Sequence, residues 1–119
     1  MSNQTVTLYH NPRCSKSRAV RELLEQRELN LNIVHYLDNP PDSATLATIV
    51  RQLGLSARQL LRTGEALYRE QKLDDPSLTE AQLLDAMAAC PRLMERPIVV
   101  TAGKARIGRP PESVLEIIQ

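Results

Sequence analysis

Apolar and polar positions at the start of the chain follow two different periods. The mostly apolar runs Val6–His10 and Leu31–Leu37 each predict a β-strand. Between them, apolar residues recur at helical spacing and predict an amphipathic helix over about residues 15–28. A strand, a helix and a second strand within so short a stretch favour a βαβ unit with parallel strands.

The middle of the chain has the period of helices. Leu46–Leu53 carries apolar residues three and four positions apart, which predicts a helix. Gly54 is a typical helix end, and either Asp42 or Ser43 is suited to cap the start. The strand-rich start of the chain is therefore followed by a helical segment.

Two further helices are predicted from the capping-box pattern, in which a Ser or Thr precedes a Gln by three positions. Ser56–Gln59 begins a short helix that runs through Leu61. Thr79–Gln82 begins a longer helix that ends before Pro91. Residues 65–78 are polar and predict no element.

The period changes again near the end of the chain. Pro97–Thr101 predicts a buried strand, and Ala105–Gly108 predicts its hairpin partner after a tight turn. Arg109–Pro111 begins the last predicted helix. The order is therefore β-α-β, a helical insert at about residues 42–90, and β-β-α. It predicts an α/β protein with a thioredoxin-like fold and a mixed four-stranded sheet, in a single domain over residues 1–119.

Composition narrows the classes of partner. The chain has 15 Lys and Arg against 14 Asp and Glu, a net charge of +1, so no general affinity for nucleic acid or membranes is expected. It has no Phe and no Trp, so the core must be mostly aliphatic. No signal peptide is recognised at the start of the chain. A cytoplasmic protein with reduced thiols is the expectation.

The candidate chemistry centres on Cys14, which falls between the first predicted strand and helix. Free N–H groups and the positive end of a helix dipole favour a thiolate there, and the same groups favour an oxyanion. Thioredoxin-type oxidoreductases place a second Cys three positions on, where this chain has Ser17. A redox cycle would then need an outside thiol, unless Cys90 comes close in space. Cys90 is expected to be a buried or end-of-helix cysteine, and no metal site is expected.

An oxyanion substrate would need further positive groups, and arginine binds oxyanions through paired hydrogen bonds. Arg62, Arg96 and Arg109 each lie at the edge of a predicted element. Composition alone would favour solvated surface side chains for all three. The spacing from Cys14 to Arg18 is too short for the C-x5-R phosphate loop of protein tyrosine phosphatases, so that class is disfavoured.

Five segments, in order along nearly the whole chain, resemble the glutaredoxin-dependent arsenate reductases of the ArsC family, among them the shorter members of that family. The segments are Tyr9–Arg18, Tyr36–Pro41, Leu60–Arg62, Glu95–Val100 and Ile107–Pro111. The family has a thioredoxin-like fold with a helical insert. The resemblance therefore implies the same architecture as the element order.

The resemblance also implies roles for single residues. Cys14 corresponds to the family's nucleophile, and Pro97 to the proline that is cis in thioredoxin-like folds. Three arginines correspond to those that bind arsenate and the arsenite product: Arg62, Arg96 and Arg109. His10 and Ser17 match the motif as supporting residues near the thiolate, and for His10 a strand-end position without a catalytic part stays open.

The implied reaction needs no bound cofactor. Cys14 attacks arsenic and expels hydroxide, glutathione as co-substrate then attacks, and glutaredoxin removes the glutathione left on the cysteine. Two alternatives remain. One is a regulatory binding module like Spx, although Ser17 removes the C-x-x-C by which Spx-type proteins sense oxidation. The other is a glutathione-dependent thiol oxidoreductase acting on a different substrate, which would need Cys14 but not all three arginines.

Overall fold

The computed structural model describes residues 4–119. Four strands form its sheet: β1 (Gln4–His10), β2 (Leu29–His35), β3 (Ile98–Thr101) and β4 (Lys104–Ile107). The α-helices of these residues are α1 (Ser15–Glu25), α2 (Ser43–Leu53), α3 (Ala57–Leu60), α4 (Ala66–Glu70) and α5 (Glu80–Ala89). Two 3₁₀ segments, Pro91–Leu93 and Pro111–Ile117, complete the secondary structure of that range. None of these helices is long and apolar enough to cross a membrane.

The sheet is mixed, with the strand order β2-β1-β3-β4. β1 and β2 are parallel, with Leu8 opposite Ile33. β3 is antiparallel to β1 and places Val99 opposite Leu8, and β4 is antiparallel to β3. The α/β class, the mixed four-stranded sheet and the parallel βαβ unit are therefore confirmed.

The chain divides into two compact units. One comprises the chain up to Asn39 together with Arg96–Gln119 and contains all four strands. Its core is aliphatic and is built from both ends of the chain: Val6, Leu8, Val20, Leu24, Val99, Val114 and Ile117. We call it the sheet unit.

The other compact unit is Pro40–Glu95, the helical unit. It holds the helices from α2 to α5 and has buried apolar residues of its own, including Leu46, Leu60, Met87 and Leu93. The segment 42–90, predicted as a helical insert, lies within it. That the whole chain forms a single domain stays a prediction.

Helix starts follow the capping chemistry closely. The Asp42 carboxylate accepts a 2.8 Å hydrogen bond from the Thr45 N–H, which makes Asp42 rather than Ser43 the cap of α2. Both predicted capping boxes, at Ser56 and at Thr79, are formed. Gly54 ends α2 with a left-handed φ of 73°, a conformation that glycine adopts without steric cost.

The observed bounds of α1 and β2 differ from the predicted ones, because backbone hydrogen bonds rather than the apolar pattern set them. α1 ends at Glu25 rather than about residue 28, because the next turn tightens and the Arg27 N–H bonds the Leu24 carbonyl. β2 begins two residues earlier than predicted, where Leu29 pairs with Gln4, and it ends at His35. A turn follows, in which the Asp38 N–H bonds the His35 carbonyl.

Two elements differ in kind from the prediction. α4 lies in the polar stretch 65–78, where no element was predicted, and none of its residues is buried. The last predicted helix is a 3₁₀ segment, Pro111–Ile117, which still buries Val114 and Ile117. Ala66–Glu70 and Pro111–Ile117 are each so short that the spacing of their apolar residues does not distinguish one kind of helix from another.

Candidate functional site

Cys14 is the last residue of the turn between β1 and α1 and directly precedes the helix. It has an extended backbone, with φ −93° and ψ 123°, and it is the N-cap of the 11-residue helix α1. The Cys14 N–H bonds the Asn11 carbonyl at 3.0 Å, which closes the turn, and the Cys14 carbonyl accepts the Arg18 N–H at 3.0 Å. The backbone therefore holds a partly exposed sulfur at the amino end of the helix.

The surroundings of Cys14 favour its thiolate. Burial by itself would raise the pKa of the thiol. The backbone N–H groups of Ser17 and Lys16, together with the charge and a side-chain hydrogen bond of Arg96, outweigh burial, and the Cys14 pKa lies below its ordinary value. A larger fraction of the sulfur is therefore a nucleophile at neutral pH.

Ser17, at the position of a second thioredoxin-type cysteine, is completely buried. Its hydroxyl oxygen lies 2.6 Å from Nδ1 of His10 and accepts the Asn11 N–H at 3.0 Å. The Ser17 hydroxyl therefore bonds both the His10 ring and the backbone of the turn before Cys14. Ser17 thereby ties the end of β1 and the turn before Cys14 to α1.

His10 is 2% exposed and is kept neutral by its environment. Burial lowers the pKa of His10, and the nearby positive charge of Arg21 lowers it further. The His35 ring packs edge-on against it at a centroid distance of 5.8 Å. A neutral, hydrogen-bonded histidine at this point supports the turn that precedes Cys14.

Arg96 places a guanidinium beside the sulfur of Cys14. Its own peptide bond to Pro97 is cis, as the resemblance implied. The Nε of Arg96 is buried and has no hydrogen-bond partner among residues 4–119. Since buried N–H groups are nearly always hydrogen-bonded, this donor is an exception among the described residues.

Arg109 is held close to the Arg96 backbone. Its Nε donates to the Arg96 carbonyl at 3.0 Å. Between β4 and Arg109, the Gly108 N–H bonds the Pro97 carbonyl at 2.9 Å. A Cβ at position 108 would come within 2.5 Å of a Val20 methyl carbon and 2.8 Å of the Pro97 ring, so only glycine allows this approach.

Arg62 lies in the helical unit, in a group of four charged residues that we call the arginine cluster: Arg62, Glu65, Arg92 and Glu95. Glu65 joins the two arginines, with one oxygen 3.2 Å from Arg62 and the other 3.0 Å from Arg92. Glu95 lies 3.9 Å from Nε of Arg62. Sequence reasoning missed Glu65, although its position three residues after Arg62 could have suggested an ion pair.

Cys90 is also in the helical unit. It ends α5, in agreement with the prediction of an end-of-helix cysteine, and it is partly exposed. Its sulfur accepts a 3.3 Å hydrogen bond from the Gln71 amide. Its proposed lack of a resolving role stays a prediction.

Comparisons with known proteins agree with this architecture. The model of the ArsC family matches residues 9–117. The chain is 55% identical to the uncharacterized protein YfgD of Escherichia coli K12, over 95% of the chain and 96% of YfgD. It is 48% identical to an arsenate reductase of Neisseria meningitidis serogroup A, over 95% of the chain and 97% of that protein.

Solved structures show the same fold. The structure of an arsenate reductase from Vibrio cholerae superposes with a TM-score of 0.95 at 46% identity, over 98% of this chain and all of the other. Its family has a thioredoxin-like fold, and the strand order described above is the same architecture. The chain therefore belongs to the ArsC family.

Proposed function

We propose that this protein reduces arsenate to arsenite, with Cys14 as the nucleophile and glutathione and glutaredoxin as the source of electrons. The observation that carries the proposal is the pairing of the Cys14 sulfur with Arg96 at the amino end of α1. That arrangement combines a reactive thiol with groups that bind an oxyanion. The naming of relatives as arsenate reductases favours arsenate as that oxyanion.

In the first step the Cys14 thiolate attacks arsenic. A sulfur–arsenic bond forms, an arsenic–oxygen bond breaks, and the oxygen leaves as hydroxide or, once protonated, as water. Bringing a thiolate onto an anion is repulsive, and the N–H groups of Ser17 and Lys16 and the charge of Arg96 offset that repulsion.

In the second step the glutathione thiolate attacks the Cys14 sulfur. A disulfide bond forms, the sulfur–arsenic bond breaks, and its electron pair stays on arsenic, which passes from the pentavalent to the trivalent state. Glutaredoxin then attacks the glutathione sulfur and releases the Cys14 thiolate. External thiols are required at the Cys-x-x-Ser motif because Ser17 is a buried hydroxyl bonded to His10.

The proposed oxyanion-binding roles of the three arginines rest on different observations. Arg96 is supported by its contact with Cys14, and Arg109 by its hydrogen bond to the Arg96 backbone. Arg62 is assigned to arsenate and arsenite binding by its correspondence to the family's motif. The proposal also places the protein in the cytoplasm, where glutathione keeps thiols reduced.

A glutathione-dependent thiol oxidoreductase acting on another substrate is the competing function, and the lowered Cys14 pKa favours it too. The two differ in the arginines. Arg96→Ala and Arg109→Ala should weaken arsenate turnover far more than the reaction of Cys14 with a small neutral disulfide. Equal losses in both reactions would favour the general oxidoreductase.

The decisive experiment is a coupled assay on the purified protein. Arsenate, glutathione, glutaredoxin, glutathione reductase and NADPH are combined, and NADPH oxidation and arsenite are both measured. We expect arsenate-dependent NADPH oxidation that stops when glutaredoxin is omitted. Arsenite formation that needs no glutaredoxin would remove that partner, and absence of arsenite in the full mixture would refute arsenate reduction.

A further inference from the structure

A cavity of about 370 Å³ opens at the carboxyl ends of the parallel strands β1 and β2. Its walls are the turn of residues 11–13, the two strand-end residues His10 and His35, and Leu37 with Asp38. All of these belong to the sheet unit. We call it the β1–β2 cavity. No step of the proposed reaction uses this cavity.

The cavity shares a wall with the nucleophile's turn. Arg13, which lines the cavity, is the residue directly before Cys14, so their Cα atoms are about 3.8 Å apart. Asn11 lines the cavity and also accepts the Cys14 N–H through its carbonyl. A ligand held in the cavity therefore lies beside the turn that positions the sulfur.

The lining carries both signs of charge and one apolar surface. Arg13 and Asp38 both line the cavity, so the lining includes one basic and one acidic residue. The buried His10 ring, with Nδ1 bonded to Ser17, has Nε2 as its second polar atom. Leu37, which is 38% exposed, adds a hydrophobic surface. Such a lining suits a small ligand with a carboxylate, an ammonium and a short methylene chain.

We propose that the β1–β2 cavity binds the γ-glutamyl end of glutathione, with its α-carboxylate on Arg13 and its α-ammonium on Asp38. This rests on the proposed function, in which glutathione attacks the sulfur of Cys14. The two methylenes of the γ-glutamyl group lie along Leu37, and the rest of the peptide follows the turn towards Cys14. The cavity thus serves the thiol substrate, while Arg96 serves the oxyanion.

The first test measures KM for glutathione at saturating arsenate in Arg13→Ala and in Asp38→Asn. Loss of one charged hydrogen bond should raise KM for glutathione roughly tenfold, with KM for arsenate little changed. Matched controls are Arg27→Ala and Glu28→Gln, which remove the same charges from exposed positions outside the cavity. Unchanged KM for glutathione in both cavity variants would overturn the proposal.

The sign of the Asp38→Asn effect separates a binding site from general electrostatics. Glutathione carries a net negative charge, so removing a nearby carboxylate would strengthen its binding if only the overall field mattered. Contact between Asp38 and the α-ammonium predicts weaker binding instead. A lower KM for glutathione in Asp38→Asn would overturn the proposal.

Truncated thiols locate the end of glutathione that is recognised. The wild-type protein should use γ-glutamylcysteine nearly as well as glutathione and should use cysteinylglycine at least several-fold less well. Arg13→Ala should remove most of that preference. Equal use of the two dipeptides by the wild-type protein would overturn the assignment of the γ-glutamyl end.

A second measurement separates failure of this proposal from failure of arsenate reduction. Oxidised glutathione and the neutral hydroxyethyl disulfide are each mixed with the protein, and the mixed disulfide on Cys14 is followed by mass spectrometry. In this exchange the Cys14 thiolate attacks one sulfur of the disulfide and the other leaves as a thiolate. Without arsenate turnover, a preference for oxidised glutathione that falls in both cavity variants would still support the cavity. An unchanged preference would overturn it.

Discussion

Each compact unit contains a polar cluster around a residue that matches the family motif, Cys14 in the sheet unit and Arg62 in the helical unit. The two clusters differ in the groups that form them. In the sheet unit, His10, Ser17 and the Asn11 N–H form a buried network beneath the turn of Cys14. In the helical unit, the arginine cluster consists of ion pairs between long side chains. The first uses a short side chain and the backbone, which have little freedom to move apart. The second uses flexible side chains that can exchange partners.

Solvent exposure increases the contrast. Ser17 is completely buried, so an unpaired group beneath Cys14 could not be rescued by water. In the arginine cluster the side chain of Arg92 is 66% exposed, so its ion pair contributes little to stability and weakens with salt, whereas the side chains of Arg62 and Glu65 are 25% and 12% exposed. The comparison indicates that the turn of Cys14 is held by fixed geometry. The guanidinium of Arg62 is held by ion pairs with Glu65 and Glu95 and by a 3.3 Å hydrogen bond to the Arg92 carbonyl.

Cys14→Ser should have the largest effect and should abolish arsenate reduction in the coupled assay, because a serine hydroxyl is not ionised at neutral pH. Cys90→Ser is the matched control and should retain turnover near that of the wild-type protein. Arsenite production by Cys14→Ser above the background without protein would contradict the assignment of the nucleophile.

Ser17→Ala should destabilise the protein by about 1–3 kcal/mol, because it leaves Nδ1 of His10 buried without a partner and removes the acceptor of the half-buried Asn11 N–H. Urea denaturation gives the free energy of unfolding. Ser77→Ala removes an exposed hydroxyl that bonds Asp75 at 2.7 Å, and it should cost less than about 0.5 kcal/mol. Equal losses in the two variants would show that the buried network has no special importance.

Arg96→Ala should raise the pKa of the Cys14 thiol, because it removes a positive charge and a hydrogen bond to the sulfur. The pH profile of alkylation by iodoacetamide should move to higher pH, and the rate at neutral pH should fall roughly two- to tenfold. Arg27→Ala, at an exposed site, should leave the profile in place. A profile that Arg96→Ala does not move would show that the backbone N–H groups alone stabilise the thiolate.

Glu65→Gln should have the smallest effect. Loss of its ion pairs with Arg62 and Arg92 should cost at most about 1 kcal/mol in low salt and less in high salt. Urea denaturation at two salt concentrations measures the difference, with Glu70→Gln in α4 as the control. A loss that persists in high salt would mean that the arginine cluster is as fixed as the network beneath Cys14.

Features encoded locally could be predicted from the sequence. The capping boxes at Ser56 and Thr79 involve residues three apart, so their spacing identifies them directly. The position of Cys14 at the start of α1 follows from a strand pattern next to a helix pattern. Position at the edges of elements drew attention to three arginines, and the resemblance added the role that position left open for them.

Features that depend on distant contacts could not be predicted in the same way. The start of β2 is fixed by pairing with β1, and α4 has no buried residue whose period would reveal it. The side-chain contact of Arg96 with Cys14 joins residues far apart in the chain. The β1–β2 cavity likewise needs the parallel pairing that brings His10 opposite His35.

Gly108 carries no side chain, and the distance between two of the family arginines depends on that absence. Its N–H donates to the Pro97 carbonyl. Arg109 directly follows Gly108 in the chain, and Arg96 directly precedes Pro97. A single methyl group at position 108 would press on Val20 and on Pro97 and would force the two backbone segments apart. The close approach of the backbone segments that carry Arg96 and Arg109 therefore depends on a hydrogen atom in place of a side chain.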